Sequence, residues 1–120
     1  MQTQQEILRN RSKQFAIAIV KFCRTLPKSE ESRVIGNQLL RCATSVAANY
    51  RAVGRSRSRA EFISKIGTVV EESDETVFWL ELIVDCGIVS KEKMELLLKE
   101  GNELLAIFAA SQRTAKANRS

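Results

Sequence analysis

Five arginines crowd the middle of the chain: Arg41, then Arg51, Arg55, Arg57 and Arg59. A guanidinium is planar, permanently charged and matched to pairs of phosphate oxygens. Four of the five fall at the expected junction of two helices, where backbone amides at a helix start also favour anions. If all four touched phosphates, duplex binding would weaken with salt at a log-log slope of about −3.6 per chain. The chemistry indicated is binding of an RNA or DNA backbone. The same residues also suit a solvated surface, or ion pairs with carboxylates of a neighbouring copy. Tyr50 is the one aromatic beside the cluster, so base stacking is weakly served.

An acidic stretch follows: Glu71, Glu72, Asp74 and Glu75, then Glu81 and Asp85. Bundle-type nucleotide pyrophosphohydrolases hold magnesium with Glu-x-x-Glu on one helix and Glu-x-x-Asp on the next. Glu72 and Glu75 fit the first half of that pattern. Glu81 and Asp85 have the wrong spacing and share the helix of the first pair. A solvated face, or partners for the arginines, accounts for them better. Ser45 and Asn49 form an i, i+4 polar pair on an inward-tending face, which suits register in a bundle more than catalysis.

The chain contains no histidine. That removes the commonest general base and metal ligand, the Glu-x-x-His di-iron bundle, and Ser-His or Cys-His nucleophiles. Cys23, Cys42 and Cys86 are odd in number, widely spaced and set among apolar residues. They read as reduced, buried side chains rather than metal ligands. Neither an enzyme nor a cofactor is expected, and no metal site.

The elements that must position these residues are helices. One proline and five glycines in 120 residues leave long uninterrupted segments. Thr3 with Glu6, Ser29 with Glu30 and Glu31, Ser58 with Glu61, and Ser90 mark four helix starts. The predicted helices cover about 3–26, 29–54, 58–86 and 90–115. Pro27 ends the first, and Gly87 suits a left-handed cap after the third. The tail from Ser111 is polar and is expected to fray.

The apolar seams are Leu8, Phe15, Ile19, Phe22 and Leu26, with Ser12 in the gap, and then Ile35, Leu39, Cys42, Val46 and Val53. The third helix carries Phe62, Ile66, Val69, Ser73, Thr76, Leu80 and Val84 near heptad spacing. The fourth has Met94, Leu97, Leu98, Leu104, Leu105 and Phe108, with Gly101 suggesting close helix approach. Short links between such segments predict one all-α domain over 1–120, an up-down-up-down antiparallel four-helix bundle.

The third helix is apolar around much of its circumference, whereas one bundle core needs a single stripe. Phe78 and Trp79, with Glu72 and Glu75, therefore mark an expected homo-oligomer interface. Charge is uneven as well. Residues 1–65 carry 13 Lys/Arg against 4 Glu, a balance of +9, and residues 66–120 carry 6 against 10, a balance of −4. Such asymmetry favours nucleic acid or head-to-tail association of copies. The polar N-terminus and the absence of long apolar runs predict a cytoplasmic protein without a membrane partner.

Three segments carry a resemblance. They are Arg41-Cys42-Ala43-Thr44-Ser45-Val46-Ala47-Ala48-Asn49-Tyr50-Arg51, Glu71 through Leu82 with its Trp79-Leu80-Glu81-Leu82, and Cys86-Gly87-Ile88-Val89. Together with Glu61-Phe62 they resemble the 23S rRNA-intervening-sequence protein family. The resemblance implies a small bacterial four-helix bundle that assembles as a homopentamer, with no established enzymatic activity. A related branch, the accessory proteins of diversity-generating retroelements, implies a reverse transcriptase as a candidate partner. The alternative function is a protein-interaction scaffold, or a reverse-transcriptase accessory, whose arginines make subunit contacts. Many members carry Asn-Ile-Ala-Glu-Gly where this chain has Asn49-Tyr50-Arg51-Ala52-Val53-Gly54, so an acidic position is lost and an arginine gained.

Overall fold

The computed structural model describes residues 1–118, so the last two positions of the expected domain span lie outside the described residues. It holds four helices: α1 (Gln4–Cys23), α2 (Glu30–Val53), α3 (Arg59–Asp85) and α4 (Lys91–Ala117). Each packs against the next, and α1 closes on α4 more thinly, while the backbones of the diagonal pairs stay apart and meet only through core side chains, as Tyr50 of α2 does with Phe108 of α4. The result is an elongated four-helix bundle, 50 × 28 × 20 Å.

The starts are where side chains can satisfy orphan amides. Thr3, Ser29, Ser58 and Ser90 accept from the backbone N–H of Glu6, Ser32, Glu61 and Lys93. α1 stops three residues earlier than expected. Ahead of Pro27 the chain tightens, with Thr25 N–H donating to Phe22 and Leu26 N–H to Cys23, because the residue before proline is pushed out of the α region. α3 ends in a Schellman turn. Gly87, at φ 73°, donates to Val84, and Ile88 donates to Ile83. The tail departs from expectation. α4 continues to Ala117 with Ala115 buried, since a run rich in alanine favours helix and its inner face still has core to cover.

The core is continuous through the bundle. Ile19, Leu39, Val46, Ile66, Val69, Leu80, Ile83, Met94, Leu104 and Phe108 are almost fully buried. On α3 the predicted seam holds from Ile66 to Leu80, but Ile63 and Ile83 replace Phe62 and Val84 at its ends. A straight helix drifts against a 3.5-residue repeat, so a seam extrapolated from its centre is one position out at the tips. Gly101 is buried as expected, beside Phe15 and Val77. A Cβ there would lie 3.4 Å from each, so the approach is close without requiring glycine. Gly101, Ser73 and Thr76 border a small void, too narrow to admit a water molecule, with Phe15, Val46 and Leu104. The Ser73 hydroxyl in that wall is buried and has no hydrogen-bond partner among the described residues.

Candidate nucleic-acid interface

The arginines of the central cluster diverge once the helices are in place. Arg41, halfway along α2, reaches across to α3, with Nη2 2.6 Å from Glu75 Oε1 and Nη1 3.5 Å from Glu72 Oε2. Trp79 Nε1 donates to the same Glu75 carboxylate at 3.4 Å. Glu72 and Glu75 therefore meet an arginine of their own chain. Arg57 is highly exposed and approaches Glu61 at 3.7 Å, while Lys65 holds Glu61 at 2.8 Å. Arg59 opens α3 and borders a shallow groove beside Gln4, Phe62 and Thr114.

Arg51 and Arg55 turn the other way, toward α1. There they meet Arg9 and Lys13, one turn apart, across an open groove of about 750 Å³. Thr44, Ala47 and Ala48 of α2 line the same groove. One carboxylate, Glu6, borders it against these four cations. None of the four is in an ion pair among the described residues. Unpaired cations on two converging walls raise the local positive potential and attract polyanions. A smaller recess beside Gln5 and Gly54 continues the groove past the end of α2.

Arg9 and Lys13 escape a reading of the sequence because they lie some forty residues from their partners. The available signal is their i, i+4 spacing, one position after Leu8 and Ser12 of the α1 seam. Tyr50 is unavailable for stacking. It is 6% exposed and packs against Phe108, ring centroids 5.0 Å apart. No aromatic residue lines the groove, so it offers bases no stacking platform.

Ser45 and Asn49 are half-buried on α2. Neither side chain makes a hydrogen bond among the described residues. Val46 and Tyr50 hold the inward positions, and the pair flanks them. On α3, Phe78 is 52% exposed, and Trp79, half-buried, packs against the core.

A third constellation joins Cys42 to Glu72 and Glu75, with potential ligand atoms within 4.8 Å of one another. Sequence spacing does not show it, because it spans two helices. Arg41 already supplies the positive charge between the two carboxylates. The Cys42 thiol donates to the Gln38 carbonyl at 2.7 Å. Burial first, and Glu75 second, push it above the ordinary thiol range. The arrangement functions as an ion-pair node tying α2 to α3.

The family model of the 23S rRNA-intervening sequence protein matches residues 4–110, nearly the whole bundle. The chain belongs to this family. A solved structure agrees: a protein with unknown function from the S23 ribosomal protein family of Bacteroides thetaiotaomicron VPI-5482. It is 28% identical, with 92% of this chain and 99% of that one covered at a TM-score of 0.84. No match was found among curated proteins. Within the family fold, the α1–α2 groove and the Arg41 node are two separate uses of one arginine-rich segment. No helix among the described residues is long and apolar enough to cross a membrane.

Proposed function

We propose that this intervening-sequence family member is a non-enzymatic, self-associating bundle that holds nucleic-acid backbone in its α1–α2 groove. The observation that carries the reading is the convergence of Arg9, Lys13, Arg51 and Arg55 on one open groove without ion-pair partners. Four phosphate contacts there again give a duplex salt slope of about −3.6. The absence of histidine supports a binding rather than a catalytic role. Three free cysteines suit a reducing, cytoplasmic setting, although only Cys42 is buried as expected, with Cys23 half-buried and Cys86 exposed. Self-association is supported by exposed Phe78 on α3 and Leu96, 79% exposed, on α4.

The test is a salt titration of labelled duplex RNA and DNA against the wild-type chain and the variant Arg51→Ala/Arg55→Ala. The slope is expected to fall by about 1.8 in magnitude in the variant. An unchanged slope and affinity would remove the groove from the reading. Mass in solution checks self-association, and a monomer at all concentrations would remove that part.

A further inference from the structure

The cations on α1 and α2 have a counterpart on α3. Glu71, Asp74, Phe78, Glu81 and Asp85 recur at a 3-4-3-4 spacing and are all exposed. That spacing places them on one stripe of the helix. None of its four carboxylates is in an ion pair among the described residues. From Glu71 to Asp85 the stripe is about 21 Å long. Phe78 stands at its middle, braced edge-on by Trp79 with centroids 4.9 Å apart and planes at 71°. The ring is therefore a positioned apolar knob between two pairs of anions.

The stripe and the groove are complementary in three respects. Carboxylates on a rigid rod present a row of negative charge, as phosphates do on a strand, and the groove gathers four cations. The groove also has small side chains, Ala47 and Ala48, where an aromatic ring needs room. And both faces are unpaired within the chain. The stripe cannot reach its own groove, since it lies on the exposed face of α3, and α3 is diagonal to α1 in the bundle.

We infer that the α3 stripe of one copy docks in the α1–α2 groove of a second copy, with Phe78 against Ala47 and Ala48. The inference rests on the groove being a polyanion site, as proposed above. The contact is head to tail, so one copy offers a groove and the next a stripe. Stripe and nucleic acid then compete for one groove, and self-association regulates access to it.

The experiment uses two pairs of exposed substitutions, Arg51→Glu/Arg55→Glu in the groove and Asp74→Lys/Glu81→Lys in the stripe. Circular dichroism checks that each variant keeps its helices, and sedimentation velocity measures association at low and high salt. Wild-type chains are expected to associate more weakly as salt rises. Each variant alone should associate at least about tenfold more weakly, because like charges then face each other. Mixing the two variants should restore association, since each supplies the face that the other lacks. Duplex RNA should disperse wild-type assemblies, and the stripe variant should bind it more tightly than wild type does. The inference is overturned if either variant associates as well as wild type, or if the mixture stays as weak as its components. Restored association without any duplex binding would support the docking and remove the nucleic-acid reading. Duplex binding lost in the groove variant, with association unaffected by either pair, would do the reverse.

Discussion

Arg41 on α2 and Glu75 on α3 are 34 residues apart in the chain and 2.6 Å apart in space. The contact fastens two neighbouring helices at mid-height and ties up the guanidinium. Arg41→Ala should therefore leave duplex affinity within about twofold of wild type, because no phosphate contact is lost. Both partners are partly exposed, with Arg41 at 49%, so the stability loss should stay below about 1 kcal/mol. Urea unfolding and a binding titration on the same variant separate the two effects. A large loss of duplex affinity would return Arg41 to the binding surface.

Single-residue contrasts can locate the groove. Arg9→Ala and Arg51→Ala should each reduce the duplex salt slope by about 0.9. Arg59→Ala should reduce it far less, since Arg59 borders the separate groove beside Phe62 and Thr114. Fluorescence anisotropy at four or five salt concentrations gives all three slopes. Equal losses in the three variants would favour a diffuse positive surface over a groove.

The void beside Ser73 and Gly101 invites two stabilising changes. Ser73→Ala removes a buried hydroxyl that has no partner and should stabilise by about 1 kcal/mol. Gly101→Ala adds a methyl at contact distance from Phe15 and Val77 and relieves the entropic penalty of a helix-interior glycine, about 0.5–1 kcal/mol. The two sites share the void, so the double variant should depart from additivity. Thermal or urea midpoints read this directly, and a lower midpoint for Ser73→Ala would mean that the hydroxyl has a partner in solution.

Alkaline pH should weaken the fold. Burial pushes the Cys42 thiol and the Tyr50 phenol above their ordinary values. A group raised in the folded chain keeps its proton to higher pH than it does in the unfolded chain. Stability is then full while the unfolded thiol is protonated and declines above about pH 8.5. Urea midpoints at pH 7 and pH 10 should differ in that sense. Cys42→Ala should lower both through the cavity that it leaves, and narrow the gap between them. An unchanged gap would assign the alkaline loss to Tyr50 or to another group.

What the sequence made legible was whatever is local. The caps at Thr3, Ser29, Ser58 and Ser90 and the stop at Gly87 follow from residues within one turn of the event, and all five are in place. The seam of α3 could be read at its centre, where drift is small, and was off by one at Phe62 and Val84. The groove could not be read. Whether Arg51 faces α1 or α3 depends on how α2 is rotated about its axis, and packing of Tyr50 against Phe108 is part of what sets that rotation. Likewise Arg41 looked like one more member of an arginine cluster, because nothing local signals a carboxylate 34 residues away.

α1 makes the smallest total contact with its neighbours of the four helices, and its seam with α4 is the thinnest. That seam is fastened by Arg11, which grips Glu100 at 2.6 and 2.8 Å and Glu103 at 3.2 Å. In native-state hydrogen exchange, α1 should then be the earliest segment to open, ahead of the α2–α3 pair. Because α1 carries Arg9 and Lys13, each such excursion dismantles half of the groove while the rest of the bundle persists. Occupancy of the groove should in turn slow exchange along α1, so that ligand affinity and the opening free energy of a single helix are thermodynamically linked.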